Sequence, residues 1–177
     1  MSFAPIDVRD LIGHPGASRR HRVSATLENL GTALARIAGD EPIGGDLLLE
    51  SVVEGLLVTG SLRGTWALRC ARCLTGFTGT FDVTVSELFV TAPQQPTGAP
   101  SPGDDEGYEL DPAIGLELEQ MVRDAIGVEL PFSPLCRRDC LGLCEVCGGN
   151  RNLGECPGHI DVDPRFAALS DLTFPDD

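Results

Sequence analysis

The sequence predicts an α+β chain. It expects an antiparallel, barrel-like sheet with one packed amphipathic helix and a C-terminal cysteine-rich knuckle. Three observations lead there. Residues 46–90 place apolar residues among Gly and Thr turn signals, with strict alternation near the end. Residues 111–126 repeat apolar positions at helical spacing. Five of the seven cysteines fall within residues 136–156.

Along the chain, Ile6-Asp7-Val8 reads as a short opening strand. His14-Pro15-Gly16 marks a loop, followed by the basic cluster Arg19, Arg20, His21 and Arg22. The periodicity of Leu27 to Ile37 is weak, so residues 23–45 stay unassigned. Leu47, Leu49, Val53, Leu56 and Val58 sit in a β-rich run punctuated by Gly60-Ser61 and Arg63-Gly64. Thr65 to Arg69 leads into Cys70, and Phe81, Val83 and Val85 alternate as in a strand with one buried face. Sequential strands joined by tight turns favour antiparallel pairing.

Residues 92–107 are rich in Pro, Gly and acids and read as a flexible loop. After it, Asp111 suits an N-cap, Pro112 the first helical position and Gly127 a stop. Ile114, Leu118, Met121, Val122, Ala125 and Ile126 share one helical face. The chain thus divides, within one domain, into four parts. These are a mixed, β-rich core (1–91), the acidic loop (92–107), a helix packing on the core (108–130) and a cysteine-rich metal-binding region with a tail (131–177).

Charge narrows the function classes. The 177-residue chain carries a net −14, of which −8 lies in residues 92–130. Such a chain does not coat nucleic acid or an anionic membrane by bulk electrostatics. Any RNA contact is confined to local arginine patches, for which Arg19, Arg20 and Arg22, or Arg69, Arg72, Arg137 and Arg138, are candidates. No apolar run is long enough to span a membrane, and Met1 to Arg9 holds no signal-peptide pattern. The chain reads as cytoplasmic, where thiols and metal ligands are expected before disulfides, and an odd cysteine count excludes complete pairing.

Cys136, Cys140, Cys144 and Cys147 place four thiols in twelve residues, and Cys144-Glu145-Val146-Cys147-Gly148-Gly149 is a zinc-knuckle pattern. Two thiolates two residues apart chelate one ion, and the glycines permit a turn that aims N–H groups at sulfur. The shortest loops cost least entropy, which favours these four as the ligands of one structural Zn2+. Cys156 and His159 are alternates, as are Cys70 and Cys73, a second C-x2-C upstream. Strand-like flanks argue against a thioredoxin-type role for Cys70 and Cys73. The chain holds three histidines and lacks the H-E-x-x-H, P-loop and G-x-S-x-G patterns, so no catalytic residues are expected.

Four segments together resemble the YceD family, the large ribosomal RNA subunit accumulation proteins. They are Leu68-Arg69-Cys70-Ala71-Arg72-Cys73-Leu74; the helical stretch Asp111 to Pro131; Leu135 to Gly148, with its C-x3-C-x-G-L-C-x2-C-G pattern; and the tail Ile160 to Leu169. Some members have no counterpart of Cys156, which supports the favoured ligand set. The resemblance implies a non-enzymatic factor in ribosome biogenesis, supporting accumulation of large-subunit (23S) ribosomal RNA. The implied partner is the large-subunit precursor, met through its RNA or through a basic ribosomal protein, with no membrane and no small-molecule substrate. The competing expectation is a zinc-containing transcriptional or redox regulatory protein.

Overall fold

The computed structural model describes residues 3–39, 41–91, 107–159 and 165. Among these residues, six strands and one α-helix form in the order β1 (Ser18–Ala25), β2 (Ala35–Ile37), β3 (Ile43–Ser51), β4 (Gly55–Arg69), β5 (Gly76–Thr91), β6 (Tyr108–Leu110) and α1 (Glu119–Val128). The sheet order is β1-β3-β4-β5-β6, with β2 also paired to β4. It is an open sheet and does not close into the expected barrel. It is also mixed, because β6 joins β5 in parallel while the other pairs are antiparallel.

The spine is the β4–β5 hairpin, paired from Gly55↔Val90 to Arg69↔Gly76. β3 covers the free edge of β4 only as far as Arg63, and β2 covers the stretch from Trp66 to Leu68. The hairpin tip therefore runs beyond the main sheet, and the turn at that tip carries Cys70 and Cys73.

Period-two alternation puts Leu47, Leu49, Leu56, Val58, Leu62, Trp66, Phe81, Val83, Val85 and Phe89 on one buried face. The opposite face shows Thr78, Thr80, Asp82, Thr84 and Ser86 to water. Gly64 lies opposite Phe81, whose ring fills the space where a Cβ would stand. That ring packs against Trp66 at a centroid distance of 4.5 Å.

α1 caps the buried face through Met121, Val122 and Ile126. It starts seven residues later than the Asp111 signal suggests and runs through Gly127. Asp111 instead accepts from Ala113 N–H at 2.8 Å in a local turn. Gly115 (φ 107) lets the backbone approach Ile6, and Leu116 bridges Ile6. A tertiary contact thus overrides the helix-start signal. The same bridge replaces the expected opening strand at residues 6–8. The basic cluster at Arg19 to Arg22, which follows the His14-Pro15-Gly16 loop, lies in β1. The acidic loop, apart from Gly107, and the tail from Ile160 onward, apart from Arg165, lie outside the described residues.

Candidate metal centre

The β4–β5 turn has a defined bonding frame. Cys70 N–H donates to Thr75 O and Leu74 N–H donates to Cys70 O, both at 2.9 Å. Leu74 takes the left-handed conformation (φ 59) that closes such a turn. The frame directs both thiols to one point, and Arg72 N–H lies 3.4 Å from Cys70 Sγ.

The segment from Pro134 to Leu143 is fastened against this turn. Ala71 N–H donates to Pro134 O at 2.8 Å, Leu143 N–H donates to Arg72 O at 3.1 Å, and the Arg72 guanidinium donates to Cys140 O at 3.0 Å. This brings Cys136 and Cys140 onto Cys70 and Cys73, and all four sulfurs lie within 4.8 Å of one another. Cys70 Sγ is 3.7 Å from Cys140 Sγ, and Cys73 Sγ is 3.7 Å from Cys136 Sγ. These spacings are far too long for disulfides, whose S–S is about 2.05 Å. They match the edge of a zinc tetrahedron, about 3.8 Å when Zn–S is about 2.3 Å. The donor set and spacing therefore fit Zn2+. Cys70, Cys73 and Cys140 are buried, with Phe77, Leu135 and Leu143 packed around them as a small core of their own.

The other ligand-type residues form a second group. Cys144, Cys147, Cys156 and His159 also bring their ligand atoms within 4.8 Å of one another. The four cysteines favoured by short loops are thus divided between two centres: Cys136 and Cys140 pair with Cys70 and Cys73, and Cys144 and Cys147 with Cys156 and His159. Loop closure is not the deciding cost, because the sheet already holds the hairpin turn in place and the hydrogen bonds from Arg72 and Ala71 carry the later segment to it.

Electrostatics agree with packed thiols. Burial opposes ionisation of Cys70, but N–H groups of Cys136, Cys73 and Arg72 outweigh it and hold its pKa down to about 6. Desolvation and the neighbouring sulfurs of Cys73, Cys70 and Cys140 push Cys136 up to about 12. Cys144 is also held down to about 6, by N–H groups of Cys147 and Val146. Four adjacent thiols cannot all ionise unaided, and a divalent cation removes that repulsion.

Asn150 and Asn152 had no sequence signal beyond their place between knuckle and turn. Asn152 donates to Cys140 Sγ at 3.4 Å and to Asn150 Oδ1 at 2.8 Å, and it accepts from Leu141 N–H at 2.9 Å. It ties the turn at Asn150 to the first thiol centre.

The arginines divide. On edge strand β1, Arg19 pairs with Asp10 and Arg22 with Asp46, while Arg20 is exposed. Arg69, Arg72, Arg137 and Arg138 all flank the first thiol centre. Arg72 serves the fold as described, and Arg137 binds Asn152 at 2.6 Å. Arg69 and Arg138 are exposed, and neither side chain has an ion-pair or hydrogen-bond partner among the described residues.

An open sheet whose long hairpin tip and distant C-terminal segment converge four thiols defines a β-sheet protein with a thiol clasp. A family model described as large ribosomal RNA subunit accumulation protein YceD matches residues 58–173, which include both halves of that clasp. The chain belongs to this family. Over 171 residues it is 37% identical to an uncharacterized protein of Mycobacterium leprae, covering 96% of this chain and 77% of that one. Over 174 residues it is 38% identical to an uncharacterized protein of Mycobacterium tuberculosis, covering 97% of this chain and 82% of that one. No solved structure matches.

Proposed function

We propose that this protein is a non-enzymatic cytoplasmic factor that supports accumulation of large-subunit (23S) ribosomal RNA, with a structural Zn2+ held by Cys70, Cys73, Cys136 and Cys140. The observation that carries the reading is the family match, whose description names large ribosomal RNA subunit accumulation and whose span covers all four ligands. The site chemistry supports a structural role. Four thiolates fill a tetrahedral ion and leave no position for water or substrate. No helix among the described residues is long and apolar enough to cross a membrane.

The contact proposed for the precursor is the surface beside the clasp, where Arg69 and Arg138 project. Guanidinium groups pair bidentately with phosphate. A basic ribosomal protein is the second reading, favoured by the net −8 of residues 92–130.

The test is deletion of the gene followed by measurement of 23S against 16S ribosomal RNA and of subunit profiles on sucrose gradients. A selective fall in 23S, restored by the intact gene, is expected. Unchanged large-subunit RNA and profiles would reject the function.

A further inference from the structure

We propose that the chain binds two zinc ions, the second in a separate site formed by Cys144, Cys147, Cys156 and His159. This goes beyond the clasp and shares none of its ligands. It rests on the metal reading of the cysteine-rich region but not on the RNA reading.

The first argument is a structural repeat. Cys144 N–H donates to Gly149 O and Gly148 N–H donates to Cys144 O, both at 2.8 Å. This is the bonding pattern of Cys70 with Thr75 and Leu74, residue for residue. Gly148 (φ 71) occupies the left-handed position that Leu74 occupies in the first turn. Two segments unrelated in their flanks, one between long strands and one in a loop, thus adopt one frame whose common product is a pair of convergent thiols.

The second argument is the completing pair. In Cys156-Pro157-Gly158-His159, Gly158 (φ 91) turns the chain so that the His159 ring reaches the three sulfurs. Eight donors exist in two groups of four, and one tetrahedral ion takes only four. The set of three thiolates and one imidazole selects zinc over magnesium or calcium, which prefer oxygen. The odd cysteine count follows, since the eighth ligand is a histidine.

The third argument is the lack of an apolar core. The 3-10 turn Arg151–Leu153 has no buried residue, and Val146 and Leu153 are exposed. Apart from Cys144 and Asn150, residues 144–159 bury no side chain. A segment so poor in core holds a fixed shape through a cation. As three thiolates and one imidazole close the coordination shell, the site is structural.

The experiment is native mass spectrometry of the full-length protein, purified under reducing conditions with zinc present. Two zinc ions per chain are expected, falling to one in Cys156→Ser and in His159→Ala. His159→Cys should keep two ions. In the cobalt-substituted protein, that change should shift the ligand-field bands from a mixed sulfur–nitrogen pattern to the four-thiolate pattern. A wild-type chain with one zinc, retained in Cys156→Ser and His159→Ala, would overturn the second site and leave the clasp standing. Two zinc ions retained in both variants would also overturn it. No zinc at all would overturn both sites and leave the ribosomal reading untouched.

Discussion

The sheet and the cysteine lobe belong to one chain but are held by different forces. On the sheet, Leu47, Leu49, Leu56, Val58, Leu62 and Phe89 are essentially inaccessible, and α1 closes over them. Each such side chain contributes about 1.5–3 kcal/mol by leaving water. In the lobe, residues 131–159, Phe132, Leu141, Val146 and Leu153 are exposed, and the small buried core consists largely of sulfur. The two apolar clusters are separate. The sheet therefore has what it needs to fold, whereas the lobe depends on its ligand atoms. The hairpin tip joins the two, since it is continuous with the sheet yet supplies half of the clasp.

The largest expected effect that tests this division is Cys140→Ser. It should remove the zinc of the clasp and release the lobe, read as loss of amide protection in residues 134–159 with β3, the middle of β4 and β5 still protected. Next comes Phe89→Ala, a buried ring stacked on Tyr108 at 5.1 Å. It should cost about 3–5 kcal/mol in urea denaturation of the sheet while zinc content stays at the wild-type value. Loss of zinc there would show that the regions are not separable.

Asn152→Ala should cost about 0.5–1.5 kcal/mol, felt in the lobe, because Leu141 N–H and Arg137 lose their acceptor. Its zinc should come off faster in a chelator competition. The two knuckles give a reciprocal pair. Gly148→Leu should destabilise the lobe by about 1–2 kcal/mol and Leu74→Gly should relieve a similar strain, since both positions are left-handed. Equal stabilities on thermal melting would break the equivalence of the two turns. The smallest stability effect belongs to the double variant Arg69→Glu and Arg138→Glu, within about 0.5 kcal/mol. It should nevertheless reduce crosslinking to large-subunit RNA in cells. Undiminished crosslinking would remove this patch from the proposed contact.

Local signals in the sequence were faithful where no tertiary contact overrode them, and long-range pairing was not legible. The alternation of Phe81, Val83 and Val85 and the strand-flanked Cys70 and Cys73 depend on neighbours in the chain, and both appear as read. The Arg19 to Arg22 strand was hidden because β1 is an edge strand whose first half buries no apolar residue. Asp111-Pro112 is a sound helix-start signal diverted by the bridge between Leu116 and Ile6. Ligand pairing was illegible for a related reason. It is set by a hairpin that carries Cys70 and Cys73 to a segment more than sixty residues later. A loop-length argument assumes a free chain, and the sheet removes that freedom. The remedy lies in composition: two C-x2-C turns, one C-x3-C and one C-x2-H supply eight ligands, enough for two ions.

The most direct test of the division between sheet and lobe is hydrogen–deuterium exchange on the zinc-loaded protein, before and after removal of metal by a chelator under reducing conditions. The expected result is loss of protection confined to residues 70–75 and 134–159, with β3, the middle of β4 and β5, and α1 unchanged. Uniform loss across the sheet, or protection of the lobe that survives chelation, would contradict it.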